Sequence, residues 1–293
     1  MTPDRLREIR PNLERRAALW RSIRTSLDEA GFLEVETDVR IPAPAPEEYI
    51  ESVCAEGEFL RASPELAMKV LLAAGYEKIW QIGRCFRADE YGSRHRTEFT
   101  MLEFYAANWD YRELARFTAE FIRDAAHRIF GTGEIPFRGQ TIDLDAEPEY
   151  LTVAEAYRRY APEPGDFDEL MVTKIEPRLG VGRMTFLLDY PADRASLARL
   201  NAEGNAERWE LYIAGLELAN AYGELVDPAE QRRRFAAAAA FRKAHGMHDY
   251  PEPEDFYAAL DRGLPQCSGC ALGMDRLAMV FCNENDIGDV RVE

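Results

Sequence analysis

The chain is 293 residues long, 46% hydrophobic and 30% charged, a normal globular mix with no run of 18 apolar residues to cross a membrane. Its 36 basic and 53 acidic residues leave a formal charge of −17, which repels phosphate backbones and argues against a dedicated nucleic-acid surface, though not against a small basic pocket. Five cysteines, an odd count, and a charged N-terminus without an apolar leader point to free thiols in a reducing, cytoplasmic setting.

Residues 12–30 carry Leu13, Ala17, Trp20, Ile23 and Leu27 at helical spacing and stop at Gly31, a natural C-terminal cap. Residues 32–37 alternate as a strand, and Pro42, Pro44 and Pro46 then impose an extended segment. Ser63, Pro64 and Glu65 open a second helix that ends at Gly75. Strands are expected over 78–86, 99–105 and 185–190, and a hairpin over 209–224 turning at Ala214-Gly215. A long amphipathic helix is expected over 110–130, and another from Asp227-Pro228 to Gly246. Residues 131–184, with scattered prolines, glycines and acids, read as a variable helical insertion. No repeat, linker or strong boundary interrupts the chain, so one domain over 1–293 is the expectation.

Three clusters can carry chemistry. Alternation puts Gln81, Gly83, Cys85, Arg87 and Asp89 on one face of the first strand, and Phe99, Met101, Glu103 and Tyr105 on one face of the second. Thr100, Leu102 and Phe104 then look like core. If the two strands pair antiparallel, that face sits beneath the cation-rich loop 90–96 and suits an anionic nucleotide beside a cationic substrate; a surface hairpin with solvated charges is the alternative. In the second cluster, Glu210, Glu217 and Glu224 stand in an apolar stretch, costly to bury unless they hold a metal or an ammonium group. Strict alternation separates Glu217 from Glu224, so a bulge or strand end near Gly223 is required for both to face one site; edge acids in solvent are the alternative. The third cluster runs from Cys267 through Gly269, Cys270 and Gly273 to Asp275-Arg276, where glycines admit a ligand and Arg276 enters at a helix start. Redox or metal use of Cys267-x-x-Cys270 is disfavoured, because Cys54, Cys85 and Cys282 are scattered and no second pair exists; a turn without function stays open. None of His95, His127, His245 and His248 shows metal spacing with a carboxylate partner, and neither a serine elbow nor a Walker loop is present.

The order of the motifs is informative. Gly31-Phe-Leu-Glu-Val-Glu-Thr37, then Phe86-Arg87-Ala-Asp-Glu90 with Arg94-His95-Arg-Thr-Glu-Phe99-Thr-Met-Leu-Glu103, then Gly273-Met-Asp-Arg276-Leu277 resembles motifs 1, 2 and 3 of class II aminoacyl-tRNA synthetases. Ser63-Pro-Glu65 and the stretch from Thr185 to Pro191 followed by Ser196-Leu-Ala198 resemble the lysyl branch. Motif 1 begins within about thirty residues of Met1, too early for the oligonucleotide-binding barrel that precedes this core in lysyl-tRNA synthetases. In that respect, and in the segment 42–47 and Ala271, the chain is similar to truncated paralogues that attach lysine or β-lysine to a lysine side chain of elongation factor P.

The resemblance implies an α+β fold, the class II synthetase catalytic core with an antiparallel β-sheet flanked by helices. It implies an ATP- and Mg²⁺-dependent ligase in which Arg87 holds the α-phosphate and substrate carboxylate, with Arg276 as its catalytic partner. Asp89 would meet the adenine amino group and Phe99 would stack on the ring. Arg94, His95 and Arg276 would meet the outer phosphates, Leu218 and Gly273 would complete the ATP site, and Glu210 and Glu217 would ligate Mg²⁺. Ser63, Glu65, Glu103, Tyr105, Asn220, Glu224 and Ala271 would line the amino-acid pocket. Departures from the family pattern are Asp89 for glutamate, Ala88 and Arg96 for asparagine, and Ala221 for glycine. The resemblance further implies a homodimer built on residues 12–37, and no tRNA charging. The alternatives are a free-standing activator that loads tRNA, a carrier protein or a metabolite, and a nucleotide-binding regulatory paralogue without turnover.

Overall fold

A computed structural model describes residues 2–293. Its centre is an eight-stranded sheet made of β1 (Leu33–Glu34), β2 (Lys78–Phe86), β3 (Glu98–Ala107), β4 (Glu149–Thr152), β5 (Thr185–Tyr190), β6 (Ala206–Ile213), β7 (Leu216–Gly223) and β8 (Cys267–Gly273). The spatial order is β1-β2-β3-β8-β7-β6-β5-β4. The two edge strands pair parallel and the six central strands pair antiparallel. The expected α+β class with an antiparallel core is therefore present, with parallel edges added.

One face of the sheet is dry. Leu102, Phe104, Trp209, Leu211 and Leu272 point into it and meet helices α1 (Arg10–Glu29), α3 (Tyr111–Phe130) and α5 (Met274–Cys282). Helix α3 starts where Asp110 and Glu113 form a reciprocal capping box and stops at left-handed Gly131. The other face is covered only at its flanks. Helices α2 (Glu65–Ala73), α4 (Pro228–Ala244) and Glu254–Arg262 form one satellite cluster there, around Met68, Phe235 and Phe256. Residues of 151–179 form a second against Leu187, Tyr190 and Tyr212. A cavity of about 910 Å³ remains between them.

Two expectations need correction. The strand over 32–37 shrinks to Leu33–Glu34. Beyond it Thr37 N donates to the side chain of Gln81 rather than to the β2 backbone, and only Phe32 is fully buried. The segment 131–184 is only partly helical. It contributes the hairpin Glu134–Phe137/Gln140–Asp143 and edge strand β4, then the eight-residue helix Val153–Tyr160 and a run of short helical turns over 167–178. Its strands are four residues each, too short for a period to register in sequence.

Candidate active site

The cavity floor is the sheet face, and register explains its composition. One row across five strands reads Gln81, Glu103, Ala271, Asn220, Glu210; the next reads Ile79, Tyr105, Gly269, Tyr222, Arg208. Small residues on β8 thus stand between long polar ones on both sides. Space is tight at Gly269, where a Cβ would lie 2.1 Å from the Tyr105 ring and 2.5 Å from Glu224 Oε1. The antiparallel pairing that the sequence required between β2 and β3 is present, with Cys85 opposite Phe99 and Gln81 opposite Glu103.

Glu217 joins this face through a bulge. Leu211 pairs with Ala219 but Tyr212 pairs with Glu217, so Leu218 is the extra residue. The required irregularity exists, but it lies at Leu218, five residues before Gly223. Beyond it Asn220, Tyr222 and Glu224 alternate normally into the cavity. The hairpin itself turns at Ala214 and Gly215, both at positive φ, which matches the twist of the flanking strands.

At the inner end of the floor three carboxylates meet one cation. Lys69 is fully buried, with Nζ 2.5 Å from Glu65 and 2.6 Å from Glu224. Burial opposes its charge, but Glu224 and Glu65 outweigh it and hold the ammonium protonated. Glu103 accepts from Ser63 Oγ at 2.5 Å and Tyr105 Oη at 2.9 Å. Burial and then Glu65 push its pKa up to about 8, so it stays neutral at pH 7. Burial lifts Glu224 to about 7 against the pull of Lys69.

The outer end is cationic. Arg87 continues from β2, its guanidinium 5.2 Å over the Phe99 ring, and its buried Nε has no partner. Arg276 enters at the start of α5, donating to Glu217 O at 3.0 Å and standing 2.6 Å from His95 Nε2. Burial and then Arg276 lower the His95 pKa, so the ring is a neutral partner there. Arg94 lines the same wall, and Gly273 and Leu218 approach with their backbones.

Every site residue expected from sequence lines this cavity except Asp89. Asp89 is exposed at φ 60°, beyond the end of β2, where the alternation that placed it no longer holds. The carboxylate in the wall is Glu90, 3.8 Å from Arg87. The sequence reading missed four other residues. Arg208 bonds Glu210 at 2.6 Å and Asn220 at 3.2 Å, and its period-two spacing from Glu210 was the available signal. Lys69 sits one helical turn after Glu65. Glu47 and Glu176 arrive on segments without regular periodicity.

The residues around Glu210 fit Mg²⁺. Glu217 is pushed up by burial and by Glu210, and Glu176 by burial, Glu217 and Glu210, a crowding that a divalent cation relieves. No group of three metal-holding side chains occurs among the described residues, so phosphate oxygens and water would complete the shell. Cys267 and Cys270, three apart on a strand, face opposite sides of the sheet and belong to different core clusters, which removes a shared metal or disulfide. His127 and His248 have carboxylate partners, Asp145 and Glu51, each at 2.7 Å, but neither belongs to a metal-holding group among the described residues.

The fold and cavity define a class, and comparison with known proteins agrees: the family model for class II tRNA synthetases (D, K and N) matches residues 3–292, and the chain belongs to that family. Within it, the chain is 33% identical to a lysine–tRNA ligase of Neisseria meningitidis and 34% identical to those of Burkholderia cenocepacia and Ralstonia nicotianae. Each alignment covers 97% of this chain and 63% of the relative, so the chain spans less than two thirds of their length. No described helix is long and apolar enough to cross a membrane.

Proposed function

We propose that the chain is an ATP-dependent ligase that activates lysine or β-lysine as its adenylate and transfers it to a lysine side chain of elongation factor P. The observation that carries activation is the polarity of one cavity: Glu65, Glu103 and Glu224 at the inner end match ammonium groups, while Arg87, Arg94 and Arg276 at the outer end match a polyphosphate. The substrate carboxylate attacks the α-phosphorus in line, and the bond to the pyrophosphate oxygen breaks. Arg87 stabilises charge on the α-phosphate, and Arg276 with neutral His95 orients the departing pyrophosphate. Mg²⁺ between Glu210 and Glu217 would neutralise phosphate charge. A neutral acceptor amine then attacks the adenylate carbonyl, forms an amide and releases AMP.

The acceptor is supported by the resemblance of the 42–47 segment and of Ala271, both of which reach this cavity through Pro46, Glu47 and the floor row. Transfer to tRNA is the second reading, favoured by what the relatives are called. ATP–pyrophosphate exchange with a panel of amino acids tests activation; exchange with none of them removes it and favours a regulatory paralogue. Labelled amino acid offered with purified elongation factor P or with tRNA then decides the acceptor. Label on RNA and none on protein replaces the first reading with the second.

A further inference from the structure

Beside the main cavity, and sharing Arg94 with it, lies an open recess of about 440 Å³ lined by Ser93, Arg94, Arg138, Asn285 and Asp286. Arg138 reaches it from the hairpin Glu134–Phe137/Gln140–Asp143, whose turn residues Arg138 and Gly139 both have positive φ. Its guanidinium is held in place by neutral acceptors only. Nε donates to Asn285 Oδ1 at 3.2 Å, Nη1 donates to Ala214 O at 3.1 Å, and the group lies 5.0 Å over the Phe137 ring. Its backbone N–H donates to Asn283 Oδ1, which fixes the turn.

Arg94 makes no side-chain hydrogen bond or ion pair among the described residues; only its carbonyl is engaged, by Arg276. The one carboxylate in the recess, Asp286, takes both Gly288 N at 2.8 Å and Arg96 at 3.3 Å on Oδ1, and bonds neither Arg94 nor Arg138. Two guanidinium groups therefore face one open space, and neither is paired with a carboxylate among the described residues. Burial and the charge of Arg94 both work against the charge of Arg138, and an anion between them removes the second of these. A side chain anchored by neutral groups, aimed at another cation, is arranged for a ligand of opposite charge.

We infer that this recess binds pyrophosphate, with Arg138 as a binding residue outside the three synthetase motifs and Arg94 passing the anion from the main cavity. The inference rests on the proposed adenylate chemistry for its source of pyrophosphate, but not for its test. Pyrophosphate binding is measured by calorimetry without ATP or amino acid, for wild type, Arg138→Ala and Arg138→Lys. Losing a charge-assisted hydrogen-bonding partner is expected to weaken binding about 10- to 100-fold in Arg138→Ala, with partial recovery in Arg138→Lys. Unchanged affinity in Arg138→Ala overturns the site. Because Arg138 also ties the hairpin to Asn285, melting temperatures accompany the titrations, and loss of binding in Arg138→Ala that Arg138→Lys does not recover assigns a structural role and overturns it as well.

Exchange kinetics separate the two sources of the same chemistry. A rise in KM for pyrophosphate with KM for ATP within about twofold identifies the leaving product. A parallel rise in both places the outer phosphates of ATP there and overturns the exit assignment. If no amino acid supports exchange while calorimetry still shows Arg138-dependent binding, the recess stands and the adenylate reading falls.

Discussion

The two ends of the cavity are built by different means. The inner end stands on sheet rows and on α2, and it brings its own countercharge in Lys69, locked between Glu65 and Glu224. The outer end stands on the loop 90–96, the bulge at Leu218 and the start of α5, and its cations and carboxylates are only partly matched. Arg87 Nε has no partner, Arg94 has none, and Glu217 is raised by burial and by Glu210. An end that carries its own cation is largely set before a ligand arrives, whereas one whose arginines stand unmatched carries electrostatic cost that ligand and metal relieve. The difference predicts opposite responses to neutralising single charges at the two ends.

The largest effect is expected at Lys69. Lys69→Met leaves Glu65 and Glu224 buried without their cation, a change that costs about 3–5 kcal/mol when a buried pair is broken. Urea unfolding checks it, and a loss below about 1 kcal/mol would show that the inner end is not held by this ion pair. Glu217→Gln is the counterpart at the outer end. It removes the repulsion from Glu210, so thermal stability without ligands should hold or rise, while pyrophosphate exchange falls by roughly 10²–10³. Wild-type exchange in that variant would sink the Mg²⁺ assignment; a lowered melting temperature would sink the contrast between the two ends.

Ala271 tests the floor on a finer scale. It stands in the row between Glu103 and Asn220 on the cavity floor. If the substrate's α-carbon lies over this position, as the proposed function requires, the methyl takes space that an α-ammonium needs, worth about 1–3 kcal/mol or about 10- to 200-fold in selectivity. Ala271→Gly is expected to improve kcat/KM for α-lysine relative to β-lysine while leaving KM for ATP in place. An unchanged ratio shows that this position does not set the choice.

What was legible in the sequence follows the same division. Long elements with a steady period, such as α1, α3 and β2, were readable because period and caps agree. The cavity face of β3 followed from alternation alone, but on the β2 side only Arg87 reaches the cavity: Gln81, Gly83 and Cys85 do not line it, and Arg61 fills the space over Gly83. Alternation failed where the strand ended: Asp89 was assigned to a face that no longer exists there, and Glu90 took the wall. It also fell short where a single extra residue re-aimed a strand, since nothing in Leu216–Gly223 marks Leu218 as the bulge. Lys69 was overlooked because a lone lysine on a helix normally reads as solvent-facing, and only tertiary packing of Glu224 against α2 reveals its burial. The 131–184 segment was the least legible because its contributions to the cavity, Glu176 among them, ride on turns too short to have a period.

The smallest expected effect concerns protons at the inner end. Glu103 is neutral at pH 7 because burial and Glu65 raise its pKa to about 8, against the hydrogen bonds from Ser63 and Tyr105 that favour the anion. A substrate ammonium needs the ionised form, so the binding-competent fraction at this carboxylate grows as pH rises, from about one tenth at pH 7 to about one half at pH 8. Apparent affinity scales with that fraction, which gives about a fivefold fall in KM for the amino acid over this interval. The substrate's own side-chain ammonium, with an ordinary pKa near 10.4, stays charged throughout and does not mask the trend. KM for ATP should stay flat, because the outer end holds its phosphates with arginines that do not titrate here. Glu103→Gln removes this titrating group while keeping its shape, so its amino-acid KM should be raised and its fall over this interval reduced to the roughly twofold that Glu224, with a pKa of about 7, still contributes. A wild-type KM that does not fall between pH 7 and 8, or the same slope in Glu103→Gln, would show that the ammonium is met by Glu65 and Glu224 alone.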